Sequence, residues 1–416
     1  MRRRSLFSIL LVAALAAAGL AACSDDDDNG DDNGDDAAPA PELTGPPIKI
    51  MTIGEISAGV ATPELPDGIE AAVQGINARG GINGSPVEFE ACDTNDDPNT
   101  AAECGRKAVD DGVAAVVGGL TVHGSEFLPL LAENEIPVIG NVLASAADFT
   151  SPASFPVYGG IISASASLPY ALAESGYERI ATARIDLAEG AVIPLFGNAA
   201  LANVDLEYVA DVPIPANAPD MATYVAQIEA ADADAVVVAV PGQDSLNFLT
   251  EILELNPEIG AALVTTSVTE VREALGDEVA DRLVYSDSFV TDDTDPDSEA
   301  YQQYLDDMDA ADFDEVGDFR NDMYAATMVF YEVASTLPAG EVTAANMWAA
   351  LPTQTDVRTG LTPPIDFSQT LEIPGSPIPD LRVFNVCTLI AVEEDGVAVL
   401  QPNFIDAFTG EDCPAP

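Results

Sequence analysis

The side chains best equipped for chemistry in this chain are its cysteines and its single histidine, His123. Cys92, Cys104, Cys387 and Cys413 form no CxxC pair, and one histidine is too few for the usual zinc sets, so no metal site is expected. With Cys23 set aside for lipid attachment, four of the five cysteines remain, and an even number in an exported chain points instead to two disulfides. Four cysteines allow three pairings; proximity along the chain favours Cys92 with Cys104 and Cys387 with Cys413. Catalytic signatures are missing: there is no GxSxG, GxxxxGK[ST], GxGxxG or HExxH, and a lone histidine removes most triads. With 71 acidic residues, a paired-carboxylate signal carries no information. The reading is a binding protein, not an enzyme, and no cofactor is implied.

The ends of the chain fix its compartment. Arg2, Arg3 and Arg4 precede an apolar run from Leu6 to Ala22, which closes on Leu20-Ala21-Ala22-Cys23. That is the layout of a secretory signal. The small residues before Cys23 are similar to the lipobox of bacterial lipoproteins, in which the cysteine is diacylated and becomes the new N-terminus. Residues 24–46 hold the run DDDDNGDDNGDD and then Ala and Pro, which cannot bury a core and read as a self-repelling linker. The spaced ligands and closing glutamate of a calcium loop are absent from it. The net charge of −57 repels phosphate backbones and excludes nucleic acid as a partner. Expected partners are a small-molecule solute and, through a lipid on Cys23, the outer face of the membrane.

The elements that position any site alternate between strand and helix. Ile48 to Ile53 is an apolar run. Asp67 is placed to cap a helix whose Ile69, Ala72, Val73 and Ile76 share a face, with Gly80 and Gly81 ending it. Asn83-Gly84 makes a turn, and Pro86 to Cys92 alternates as a strand. Strands follow at Ala114 to Val117 and Pro137 to Ile139, giving a βαβαβ run and hence a parallel sheet. The alternation restarts with strands expected at Arg179 to Ile185, Asp205 to Val209, Ala235 to Val240, Ala261 to Thr265 and Leu283 to Phe289. After the break TDDTDPDS come helices at Tyr301 to Met308 and Asp318 to Leu337, then a Pro-rich tail with two β runs around Glu394-Asp395-Gly396. The loops 119–124 and 141–145 both leave the carboxyl ends of parallel strands, where open α/β folds place their ligands.

The order of these parts resembles the type I solute-binding proteins of ABC importers, in the branch of the leucine/isoleucine/valine-binding and amide-binding receptors. The likeness runs from about Pro47 to Asn403 and rests on INARGGINGSPVEFEACDTNDDP, VAAVVGG, GLTPPIDFSQ and the closing β pair. It implies an α/β fold of two Rossmann-like lobes with parallel sheets joined by a three-crossing hinge. Lobe 1 would hold 47–152 and 297–363, lobe 2 would hold 153–296 and 364–416, and the crossings would lie near 152–161, 289–296 and 363–371. Partners implied are the permease subunits of an ABC transporter, with the protein acting as a monomer; a sensor feeding a membrane receptor, or an anchored acidic cation-binding protein, are the alternatives.

The family meets a solute carboxylate or amide with hydroxyls and helix-terminal N–H groups. Carried over, that role falls on Thr121, His123, Gly124 and Ser125, on Leu143 and Ser145, and more weakly on Ser57; Glu55 beside it is read as solvent-facing. For Thr121 and Ser125, plain helix capping is the competing role. In the second lobe the chain departs from the amino-acid binders. Leu187-Ala188-Glu189-Gly190 lacks their tyrosine, Thr265-Thr266-Ser267 stands where they place a carboxylate, and Thr62-Pro63 replaces an aromatic. Glu189, Gln243, Asp244 and Ser267 are the substitute polar candidates, with surface residues starting a helix as the competing role for Glu189, Gln243 and Asp244; Phe289 and Tyr324 could line the cleft, though large aromatics at such positions are more often core. These departures weigh against an ordinary α-amino acid.

Overall fold

Apolar runs bounded by glycine turns set the first sheet. A computed structural model of the protein describes residues 42–58, 62–187, 189–216, 218–292, 294–373 and 380–416; the signal segment, Cys23 and the linker to residue 41 lie outside the described residues. The chain begins with β1 (Ile48–Gly54), α1 (Leu65–Ala78), β2 (Val87–Asp93), α2 (Pro98–Asp111), β3 (Ala115–Val117), α3 (Leu128–Glu133), β4 (Val138–Ile139) and β5 (Ser154–Phe155). The sheet order is β2-β1-β3-β4-β5, with every pair parallel. β1 is apolar on both faces because both are covered: Ile50 packs with Ile69 and Tyr324 on one side, Met51 and Ile53 with Leu128 and Val138 on the other.

A second parallel sheet follows through α4 (Gly160–Glu174), β6 (Ile180–Ile185), α5 (Ile193–Leu201), β7 (Ala210–Ile214), α6 (Ala222–Ala230), β8 (Ala235–Ala239), α7 (Gln243–Leu255) and β9 (Gly260–Leu263). Its order is β7-β6-β8-β9. On β8 the side chains alternate between two cores, Val236 and Val238 in one, Ala235 and Val237 in the other. The remaining elements are α8 (Val268–Leu275), α9 (Asp277–Ala280), β10 (Ser286–Asp287), α10 (Glu299–Ala310), α11 (Asp318–Ser335), α12 (Ala344–Ala350), β11 (Cys387–Glu394), β12 (Val397–Leu400) and β13 (Ile405–Asp406). β10, β12 and β13 all pair antiparallel with β11, so the tail does leave the βα pattern. The expected α/β class with two parallel sheets is what the structure shows.

Both disulfides join near neighbours in sequence, Cys92 with Cys104 and Cys387 with Cys413. The first ties β2 to α2, and the second closes the antiparallel tail. α11 runs across α1, and at their crossing a Cβ on Gly68 would overlap the Arg320 carbonyl. Only glycine lets the two backbones approach so closely.

Two expectations are corrected, and of the two roles open to Phe289 and Tyr324 the structure takes the core one. Asp67 does not cap α1: proline in the first turn is pre-set for helical φ, so the helix opens at Leu65, with Asp67 inside it accepting from Arg320 Nε at 3.1 Å. The strand expected at 205–209 lies at Ala210–Ile214, because Asp205 takes a left-handed turn (φ 58°) after Leu201 and the chain enters the sheet only where Ala210 pairs with Ala181. Pro213 is tolerated there since β7 is an edge strand. Phe289 and Tyr324 are core residues: Phe289 meets Tyr158 edge-on at 5.1 Å, and the buried Tyr324 hydroxyl donates to Asp307 Oδ2 at 2.7 Å.

Arg79 also reaches that carboxylate, with Nη1 to Oδ1 at 2.6 Å and Nη2 to Oδ2 at 2.8 Å. The bond to Asp307 raises the Arg79 pKa, and burial raises that of Tyr324. A single carboxylate on α10 thereby joins α1 to α11.

Candidate solute site and its relatives

The carboxyl ends of β1, β2, β3 and β4 open into four loops. From β1, Glu55 turns inward; it is 1% exposed, and its Oε1 accepts from Thr121 Oγ1 at 3.1 Å and Val122 N at 2.9 Å. This corrects the expectation that Glu55 faces solvent. Thr121 Oγ1 in turn accepts from His123 N at 3.1 Å, so the hydroxyl orders its own loop and does not cap a helix. His123 is part-buried, and its Nε2 lies 3.1 Å from Asp96 Oδ1 on the loop after β2.

The loop after β4 is built around a second buried carboxylate. Asp148 Oδ2 accepts from Ser145 N and Ser145 Oγ, each at 2.7 Å, and from Ala144 N at 3.3 Å; Asn141 Nδ2 donates to Oδ1 at 2.9 Å. Burial pushes the Asp148 carboxyl up to about 6, against the pull of those donors. The two predicted loops do lie side by side: a Cβ on Gly124 would overlap Ser145 Oγ and crowd Asp148. A cavity of about 10 Å³, room for about one water, is lined there by Gly119, Thr121, Asn141 and Asp148.

The other predicted residues fall as follows. Ser57 Oγ donates to Asp93 Oδ2, and Asp93 Oδ1 accepts from Ile56 N at 3.0 Å and Asn95 N at 2.9 Å, which ties the first loop to the second. Ser125 Oγ donates to Glu126 at 3.3 Å. Leu143 is buried with Ile162, Phe196 and Leu381, leaving only its backbone for a solute. In the second sheet, Gln243 follows β8 and donates to Asn247 Oδ1 at 3.1 Å. Ser267 follows β9 and forms a capping box with Glu270 at the start of α8. Glu189 opens a short turn after β6, and its side chain lies outside the described residues.

Sequence reasoning missed Glu55, Asp93, Asp96, Asn141 and Asp148. The signal was available in part: Glu55, Asp93, Asp96 and Asn141 are acidic or amide residues at or within three positions of a strand's carboxyl end, whereas Asp148 stands nine positions after β4. Glu55, Asp96 and His123 also converge, each bringing one ligand-type atom within 4.8 Å of the other two. Spacings of 41 and 27 residues hide that convergence in the sequence.

A family described as periplasmic binding protein matches residues 47–386, most of the chain and both parallel sheets. The chain belongs to that family. Its members are solute carriers and not enzymes, and membership implies an extracytoplasmic location. The Leu/Ile/Val-binding protein of Escherichia coli K12 is 31% identical over 106 residues, 25% of this chain and 29% of that protein; the match therefore spans under a third of the relative's length. Among solved structures, a branched-chain amino acid transporter substrate binding protein of Streptococcus pneumoniae in complex with isoleucine aligns with a TM-score of 0.65 at 16% identity, covering 84% of this chain and 97% of that one. A solute-binding protein of an ABC transporter from R. palustris, in complex with 4-hydroxybenzoate, also gives 0.65, at 17% identity, over 88% and 98%. At such identities the likeness is one of fold: the type I periplasmic binding protein fold.

Proposed function

We propose that this protein is a receptor anchored by lipid on Cys23 that captures a small polar solute outside the cytoplasm and, as a monomer, delivers it to the permease of an ABC importer. Family membership supports the carrier role, and two disulfides suit an oxidising compartment. The observation that carries the reading is the meeting of loops 121–125 and 143–148 at the carboxyl edge of the first sheet.

The solute belongs with the branched-chain amino acid, amide and carboxylate group that the family suggests, and the site's hydrogen bonding orders that group. Thr121 Oγ1, Val122 N, Ser145 N and Ser145 Oγ already donate to Glu55 or Asp148. A solute carboxylate would have to displace one of those buried anions, whereas an amide or ammonium brings donors to them. We therefore place amides and amine-bearing solutes ahead of simple carboxylates.

Thermal unfolding of the full chain against panels of branched-chain amino acids, amides, amines and carboxylates tests this, with solution scattering to follow lobe closure. One class at a hundred times its Kd should add about 2.7 kcal/mol of stability and contract the molecule. No stabilisation by any of the four classes overturns the proposal.

A further inference from the structure

We infer that Glu55, Asp96 and His123 form a binding site for one divalent transition-metal ion. The three residues leave the ends of three adjacent strands, β1, β2 and β3, and their ligand-type atoms all lie within 4.8 Å of one another. Two ligands each about 2.1 Å from an ion stand about 3.4 Å apart in a tetrahedral set and about 3.0 Å apart in an octahedral one. The 3.1 Å between His123 Nε2 and Asp96 Oδ1 falls in that interval. An M²⁺ ion held by a neutral imidazole and two carboxylates would balance their two negative charges.

The surroundings hold the ligands in place. Glu55 is oriented by Thr121 Oγ1 and Val122 N, the kind of outer-shell support that metal-binding carboxylates carry. Asp93 clamps the loops that bear Glu55 and Asp96, and Asn95 and Asp96 both adopt left-handed backbone (φ 51°), which aims Asp96 back toward the sheet edge. One imidazole nitrogen with two carboxylate oxygens favours a borderline ion such as Zn²⁺ or Co²⁺ over Ca²⁺, which takes six to eight oxygens. Three protein ligands leave coordination positions for water or another small ligand. The sequence signals no such site because Asp96 and Glu55 stand 27 and 68 residues from His123 along the chain. The ion would share Glu55 and His123 with the solute loops, and the two readings are told apart by titrating metal in the absence of solute and solute in the absence of metal.

The test is equilibrium titration of the chelator-stripped full chain with Zn²⁺ and, separately, Co²⁺, whose visible absorption reports inner-sphere ligands. The variants are His123→Ala, Glu55→Gln and, as a surface control, Asp281→Asn. We expect one saturable site, weakened at least about tenfold by His123→Ala and by Glu55→Gln, unchanged by Asp281→Asn, with the Co²⁺ band lost in His123→Ala. Circular dichroism checks that each variant is folded, and His123→Ala alone suffices if Glu55→Gln is not. No saturable binding, many weak equivalent ions untouched by His123→Ala, or equal binding of Ca²⁺ by wild type and His123→Ala overturns the inference.

Discussion

Asp148 should make the protein less stable as the pH rises toward neutrality. Its carboxyl is 4% exposed, and burial lifts it from an ordinary 3.8 to about 6. Below the unfolded value both states hold the proton and nothing is lost. Between there and about 6 the unfolded chain releases its proton while the folded chain keeps it, so the equilibrium shifts toward unfolding; above about 6 the loss levels off. A gap of about two units corresponds to about 3 kcal/mol, and nearly all of it accrues between about pH 3 and 7. Other carboxylates work in the opposite sense, so the assay is a difference: denaturant unfolding of wild type and Asp148→Asn, each from pH 3.5 to 7.5. Asparagine loses an acceptor for the Ser145 and Ala144 donors and is destabilising throughout, but its deficit relative to wild type should shrink by 2 to 3 kcal/mol as pH rises, on the order set by the same gap. A deficit that stays constant or grows across that range refutes the reasoning.

Three further outcomes follow from the packing. Asp307→Ala leaves Arg79 and Tyr324 without their acceptor and should cost about 3 kcal/mol, the low end for a broken buried pair because the Arg79 side chain is 40% exposed; denaturant midpoints measure it. Gly68→Ala drives a methyl into the Arg320 carbonyl and should cost about 1–3 kcal/mol by the same assay, as overpacking does. Replacing Cys387 and Cys413 together by alanine should cost about 3 kcal/mol through the freed loop of the unfolded chain, with the Cys92 and Cys104 pair costing slightly less because its loop is shorter; calorimetry of the two double variants ranks them.

Much of the architecture was legible because it is periodic. The apolar face of α1, the continuous runs of β1 and β8 and the Asn83-Gly84 turn all follow from local residue patterns, and proximity favoured the observed disulfide pairs among the three possible ones. Where local rules competed, the tertiary structure decided: Asp67 is a good cap but follows a better helix start, and the 205–209 segment has strand composition, but Leu206 and Tyr208 bond to Leu201 and Asn198 and the ladder with β6 begins only at Ala210. The site was legible in outline only. Loop positions after strands follow from topology, and the family resemblance put Thr121, His123 and Ser145 on them. Which group each hydroxyl meets depends on loops brought together from distant parts of the chain, and that is why Glu55, read as a surface acid, proves to be a buried acceptor.

The central claim is that a small solute is held where loops 121–125 and 143–148 meet. The most direct measurement is to identify the small molecule released on denaturing natively purified protein, and then to titrate it into wild type and Gly124→Leu, whose side chain would fill the contact between those loops. One polar solute should be released, and it should bind the folded variant at least about tenfold more weakly, a difference of about 1.4 kcal/mol or more. Equal affinity in the two proteins would contradict that claim.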